Sequence, residues 1–283
     1  MALVTGASRG IGFAIAQRLA SEGATIAVAA RSSDGSLENA VAEIQAAGGH
    51  AFPLQADIGD DDVLKALPDK VVEHAGRLDI LVNNAGSAIY GDFASLETAS
   101  IDHMLRLYLR APMLLAQAAI PAMRVGGCGW IVNVGSITAL APATPYSAGS
   151  LGGADCVYAA AKAGLLRFTQ GLAAALLRDD IAVNMAAPST AIRTPGADAL
   201  IAADYPVERV EYLAETVLAL CHRPAAERTG LSAFSLHYPA AQKLAVMTLD
   251  GKTRLPDIDP PSWRHPATPL RGDELTPHIS AAA

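Results

Sequence analysis

Three residues of this chain carry groups able to move a proton: Ser136, Tyr158 and Lys162. Ser136 stands just beyond an apolar run, Trp130-Ile-Val-Asn-Val134, that reads as a buried strand. Tyr158 and Lys162 are four residues apart on a segment with helical spacing, so both side chains lie on one face, a turn apart. A free phenol has a pKa of about 10. A neighbouring ammonium favours the phenolate, so a strand-end hydroxyl and this pair could together form a proton-transfer site. Taken singly, each residue has a plain structural reading: a half-buried helix tyrosine, a lysine with its stem along an apolar surface, a turn serine.

A proton site needs elements to hold it. Ala2 to Thr5 is a short apolar strand that begins almost at the first residue, so the strand is clipped or the start codon is placed late. Thr5-Gly-Ala-Ser-Arg-Gly-Ile-Gly12 follows, and then Ile11, Ile15, Ala16 and Leu19 recur at helical spacing. Strand, glycine-rich turn and helix form an anion cradle. Gly6 allows a tight turn, Gly10 lets the backbone approach a pyrophosphate, and Gly12 lets helix pack on strand. The helix N-terminus supplies unpaired N–H groups and the positive end of its dipole.

Thr25 to Ala30 is the second strand. Its end carries Arg31-Ser32, where an acidic residue would hold a ribose 2′-hydroxyl. Arg9 and Arg31 either read a 2′-phosphate, favouring NADP(H) over NAD(H), or are solvated surface arginines. Asp57, after the third strand His50 to Leu54, is a turn or N-cap residue, or meets an adenine amino group.

Helices are expected over 37–47 and 63–76, a fourth strand over 79–82, and then Asn83-Asn84-Ala85-Gly86 as a braced turn beside the cleft. A long helical segment, 101–123, contains Pro112, where a kink or boundary is expected. A helix over 157–177, a sixth strand over 181–186, a helix over 207–221 and a last strand near 231–236 complete the order. Repeated βαβ units predict an α/β fold, a doubly wound, Rossmann-type parallel sheet with helices on both faces and a cleft at the strands' C-terminal ends. The expected organisation is one catalytic domain over 1–249 and an irregular tail over 250–283, which holds six prolines.

Composition agrees with this plan. Hydrophobic residues make up 51% and charged residues 17%, as buried parallel strands require. A net charge of −7 gives no basic footprint for nucleic acid or anionic membrane. No apolar stretch reaches the ~18 residues of a membrane span, and no charged leader marks a signal peptide, so a cytoplasmic protein is expected. Cys128, Cys156 and Cys221 read as reduced, buried small residues. The seven histidines show no metal-binding spacing; His237 and Tyr238 read as packing residues. The apolar helix over 157–177 has more apolar surface than one sheet face covers, which points to a homodimer or homotetramer.

Thr5-Gly-x-x-x-Gly-x-Gly12, Asn83-Asn-Ala-Gly86, Ser136 and Tyr158-x-x-x-Lys162, in this order, resemble the short-chain dehydrogenase/reductase family over roughly residues 1–236. The tail after about Gly230 is similar, more loosely, to hydroxysteroid-dehydrogenase-like branches. The resemblance implies hydride transfer between nicotinamide C4 and a carbonyl or alcohol carbon. Tyr158 would be general acid or base, Lys162 would favour its phenolate and hold ribose hydroxyls, and Ser136 would bond the substrate oxygen. It implies a cofactor lying along Gly6, Ser8, Arg9, Gly10, Ile11 and Gly12, then Arg31 and Ser32, Asp57 and Ile58, Asn84, Ala85 and Gly86. Tyr158, Lys162, Pro188 and Thr194 would complete that set. A mostly apolar small-molecule substrate would meet Ala88, Tyr90, Ile137, Leu140, Ser189 and Ile192.

Two departures stand out. Where the family usually carries Asn in the helix before the serine strand, Leu105-Arg-Leu-Tyr-Leu-Arg-Ala-Pro112 has Tyr108. The Ser136 to Tyr158 interval is 22 positions, longer than usual, with its extra residues around 143–154. The first departure supports an alternative: a nucleotide-binding regulatory or scaffold protein with weak or lost turnover.

Overall fold

The computed structural model describes residues 1–31, 34–142, 144–146, 151–201, 203 and 205–257. Seven parallel strands form one sheet in the order β3-β2-β1-β4-β5-β6-β7. The strands are β1 (Ala2–Thr5), β2 (Thr25–Ala30), β3 (His50–Gln55), β4 (Ile80–Asn83), β5 (Gly129–Val134), β6 (Ile181–Ala187) and β7 (Ser232–Phe234). The order reverses between β1 and β4, and this switch point opens a crevice at the strands' C-terminal ends. Pro53 is tolerated in β3 because that strand is an edge and lacks a neighbour on one side.

Two apolar layers follow from strand alternation. Ala2 and Val4 of β1, with Ile26 and Val28 of β2, pack with Ile15 and Leu19 of α1 (Gly10–Ser21), Leu37 and Ile44 of α2 (Ser36–Ala46) and Leu213. Leu3, Ala27 and Ile131 point the other way, onto Leu64 and Leu67 of α3 (Asp61–Ala75) and Leu115 of α5 (Ala111–Gly126). Asp60 caps α3 by accepting from the N–H groups of Asp62 and Val63, and Gly76 ends it at φ +76°.

The long segment before β5 has a boundary at Pro112, as expected, and the irregularity there is a π turn. Helix α4 (Thr98–Leu105) runs into a π-helical turn, Arg106–Arg110, and then into α5. Pro112 lies in the first turn of α5, directly after the π turn, so the helix is irregular where proline removes a backbone donor. Helix α6 (Cys156–Leu176) carries Tyr158 and Lys162. Helix α7 (Val210–Ala219) and a short α8 (His237–Gln242), which the sequence patterning does not announce, close the described chain. Residues 246–255 fold back on it: Leu255 and Val246 pack with Tyr212 and Leu236, and the Tyr212 hydroxyl donates to the Pro256 carbonyl at 3.0 Å. Residues 258–283, most of the proline-rich tail, lie outside the described residues.

Of the cysteines only Cys221 is buried; Cys156 is exposed at the start of α6 and Cys128 is partly exposed, because both sit at element ends and not on apolar faces. Among the described residues no helix is long and apolar enough to cross a membrane.

Candidate active site

Ser136 lies two residues beyond β5 and caps a short 3-10 turn, Ile137–Ala139. Its hydroxyl accepts from Thr138 N–H at 3.2 Å and from the Thr138 hydroxyl at 3.0 Å, which fixes its position. From α6, Tyr158 comes near enough to Ser136 for that hydroxyl to act on its phenol. Burial holds the Tyr158 phenol above its ordinary pKa, while the Ser136 hydroxyl pulls the other way and Asp155 adds to the rise. The three motif residues are therefore brought together, across the interval that contains the 143–154 insertion. Gly91 N–H donates to the Ala154 carbonyl at 3.0 Å, tying that insertion to the loop after β4.

Lys162 is buried, and its ammonium donates to the Val134 carbonyl at 2.6 Å. Burial pushes its pKa down to about 7. The same nitrogen sits 4.4 Å from the ring centroid of Tyr108 and 5.7 Å from that of Tyr158. Tyr108 and Tyr158 meet edge to face at 5.0 Å, and Tyr90 approaches Tyr158 the same way at 5.7 Å. The sequence points to Lys162 but not to its carbonyl partner, since a backbone acceptor leaves no signature in residue type.

The glycine turn has the geometry of an anion cradle. Gly6 and Gly10 have φ near +64° and +62°, a region that disfavours other residues. A Cβ on Gly12 would lie 2.4 Å from the Gly6 carbonyl oxygen, so close packing of helix on strand demands glycine there. No side chain caps α1 at Arg9, which leaves its first turn able to receive an anion. These residues fit the diphosphate of a dinucleotide. Ser8 and Ile11 are partly buried in the turn; Arg9 and Arg31 are exposed. Ser32 lies outside the described residues.

Asn84 spends its amide on the turn itself, donating to the Thr5 carbonyl at 2.9 Å and the Gly6 carbonyl at 3.3 Å. It thereby braces β1 to β4, as does the Thr5 hydroxyl, which accepts from the Asn84 and Ala85 N–H groups at 3.0 and 3.2 Å. Asp57 accepts from Gly59 N–H at 2.8 Å and stays exposed, next to a partly buried Ile58. Gly86 is crossed by Tyr108: a Cβ there would fall 2.2 Å from its ring. Thr194, in the loop after Pro188, faces the glycine turn, its Cβ 3.3 Å from where a Gly10 Cβ would be.

The chain matches the family model for short chain dehydrogenases over residues 1–203. It belongs to the short-chain dehydrogenase/reductase family. Hydroxysteroid dehydrogenase-like protein 2 of Mus musculus is 33% identical over 229 residues, 78% of this chain and 45% of that protein. The chain spans about half the length of the curated relatives of that name. A Burkholderia cenocepacia J2315 short chain dehydrogenase solved in complex with NADP is 34% identical, with TM-score 0.69 over 81% of this chain and 93% of that one. A 7α-hydroxysteroid dehydrogenase complexed with NADH and 7-oxo glycochenodeoxycholic acid is 29% identical, with TM-score 0.72 over 81% and 89%. Family members thus accept either nicotinamide dinucleotide.

Of the expected pocket residues, Tyr90 stands beside Tyr158, while Ile137 and Leu140 pack partly against Phe234 and Met185. Ile192 and Ser189 are buried, and the Ser189 hydroxyl is engaged by His237 Nδ1 at 3.0 Å. His237 and Tyr238 are both buried. Glu208 has no signal in the sequence. It binds back to the Thr190 N–H and hydroxyl and to the Ser235 hydroxyl, contacts made only by the fold. Among the described residues no group of His, Cys, Asp and Glu is placed to hold a metal.

Proposed function

We propose that this protein is an NADP(H)-dependent oxidoreductase acting on a mostly apolar carbonyl or secondary alcohol, with Tyr158 as general acid and base. The observation that carries the reading is the buried Lys162 ammonium, 5.7 Å from the Tyr158 ring and bonded to the Val134 carbonyl two residues before Ser136. When bound, the nicotinamide accepts or delivers the hydride. The chain's own groups do the rest. Ser136 fixes the substrate oxygen by a hydrogen bond. Tyr158 then gives a proton to that oxygen in reduction and removes it in oxidation. Its phenol is above the ordinary range in the free protein, so positive charge is needed to bring it down; Lys162 and the oxidised nicotinamide both have that sign.

The glycine turn would hold the diphosphate, with Gly6, Ser8, Gly10, Ile11 and Gly12 in contact. Arg9, Arg31 and Ser32 would read the 2′-phosphate, Asp57 and Ile58 the adenine, and Asn84 to Gly86 the inner wall. Pro188 and Thr194 would reach the nicotinamide. Apolar side chains exposed on the loops that follow β4, β5 and β6 (Tyr90, Phe93, Tyr146, Leu151, Tyr205 and Val207) support an apolar substrate. The protein is read as a cytoplasmic homodimer or homotetramer.

The test is turnover of a panel of ketones, aldehydes and oxoacyl thioesters with NADPH and with NADH, followed by nicotinamide absorbance. NADPH-preferring turnover is expected, and Tyr158→Phe should reduce kcat by at least ~100-fold with cofactor affinity kept. Full retention by that variant sinks the acid–base assignment, and tight NADPH binding without turnover of any substrate supports a regulatory protein instead.

A further inference from the structure

Lys162 is enclosed, and the group over it is a ring. Its ammonium makes one short hydrogen bond, to Val134, and lies 4.4 Å from the centre of the Tyr108 ring. A cation over an aromatic face is attracted by the ring's negative quadrupole, and more strongly where water is excluded. Tyr108 is itself buried among Met104, Val157 and Ala161. It is aimed by an unusual element, the π turn Arg106–Arg110, a form frequently found at functional sites. Its other flank is closed by Gly86, whose missing Cβ makes room for it.

We propose that Tyr108 is a positioning residue whose ring face holds the Lys162 ammonium charged and in place beside Tyr158. The proposal rests on the reading of Tyr158 and Lys162 as the proton-handling pair. The ring, and not the hydroxyl, is the working part: it supplies electrostatic support that burial removes, and it touches neither substrate nor reacting atoms. Among the described residues the groups facing the pair are few. Tyr158 faces Lys162 from the same helix and Tyr108 from the π turn. Tyr90 from the loop after β4 and Asp155 at the start of α6 act on Tyr158, and Tyr205 acts on Tyr90.

The test replaces Tyr108 with phenylalanine, with leucine, and with 3,4,5-trifluorophenylalanine, which keeps the shape of Phe and drains the ring face. Lys162 is titrated by the NMR shift of its 13C-labelled ε-carbon in the cofactor-free protein and identified by its loss in Lys162→Gln. Tyr108→Phe should leave the Lys162 midpoint where it is. The trifluoro ring should lower it by about half a unit to one unit, roughly 3- to 10-fold in the proton-binding constant. Tyr108→Leu should lower it at least as far. In alcohol oxidation the pH midpoint should move upward with the trifluoro ring, kcat falling at neutral pH while substrate KM holds.

Equal Lys162 midpoints for Phe and trifluorophenylalanine overturn the proposal, as does a shift in Tyr108→Phe as large as in the other two. The trifluoro comparison decides the matter if Tyr108→Leu does not fold. A shifted Lys162 midpoint together with an active Tyr158→Phe would leave Tyr108 in its role and sink the acid–base assignment alone.

Discussion

Gly86 shows how one missing side chain shapes this site. Its place in Asn83-Asn-Ala-Gly86 suggests a backbone left bare for a ligand, yet the space beside its Cα is taken by Tyr108, whose ring lies 2.2 Å from the point a Cβ would occupy. Gly86→Ala should therefore cost about 1–3 kcal/mol through overpacking, measured by urea denaturation. Combined with Tyr108→Leu, most of that loss should return, the signature of two sites in contact. A Gly86→Ala protein as stable as the parent would refute the crowding. The residues legible from sequence are so for local reasons: Tyr158 and Lys162 by four-residue spacing on one helix, Ser136 by its place after an apolar strand. Lys162's bond to Val134 and the ring above it are not, because both cross between elements far apart in the chain.

At the scale of elements, strands are the easiest to read, since a sheet buried on both faces leaves near-continuous apolar runs. The connection from β6 to α7 is the hardest, and it carries a titrating knot. Ala191 pairs with Val207, Glu208 N–H donates to the Ala191 carbonyl at 2.8 Å, and the Glu208 carboxylate binds Thr190 and Ser235. The loop that bears Thr194 is thus pinned at its base. Burial raises Glu208 from 4.5 to about 7, against the hydrogen bonds that favour its charged form. A carboxyl raised on folding binds its proton more tightly in the folded state. Its contribution is complete below about pH 4.5 and is lost as the pH climbs through 7. Between pH 5 and 8 the parent should lose about 2–2.5 kcal/mol relative to Glu208→Gln. Parallel stability curves for the two proteins across that range would rule the knot out as a titrating group.

At the scale of the whole molecule, the first βα unit is tied to the last by a buried ion pair. Arg18 of α1 donates through Nε to Glu215 of α7 at 2.8 Å, and Met247 N–H from the returning chain donates to the same carboxylate at 3.3 Å. Removing one partner strands a charge in the interior. Arg18→Met should cost about 3–5 kcal/mol, and Arg18→Met with Glu215→Leu considerably less. A single variant within 1 kcal/mol of the parent would show that the pair does not join the halves. The doubly wound order is readable from alternating element types; this long-range clasp is not, because a lone Arg on an apolar helix face reads as a solvated charge.

The π turn has a meaning in the language of insertions and deletions. Each residue of an α-helix turns the chain by about 100°, and a π turn accommodates one residue more than the regular helix allows. The aim of everything before Arg106 relative to everything after Arg110 is thus set by chain length as well as by side-chain choice. A change of one codon in that turn would swing α4 by more than a quarter of a revolution against α5, re-aiming the side chains of the turn while leaving Ser136, Tyr158 and Lys162 untouched.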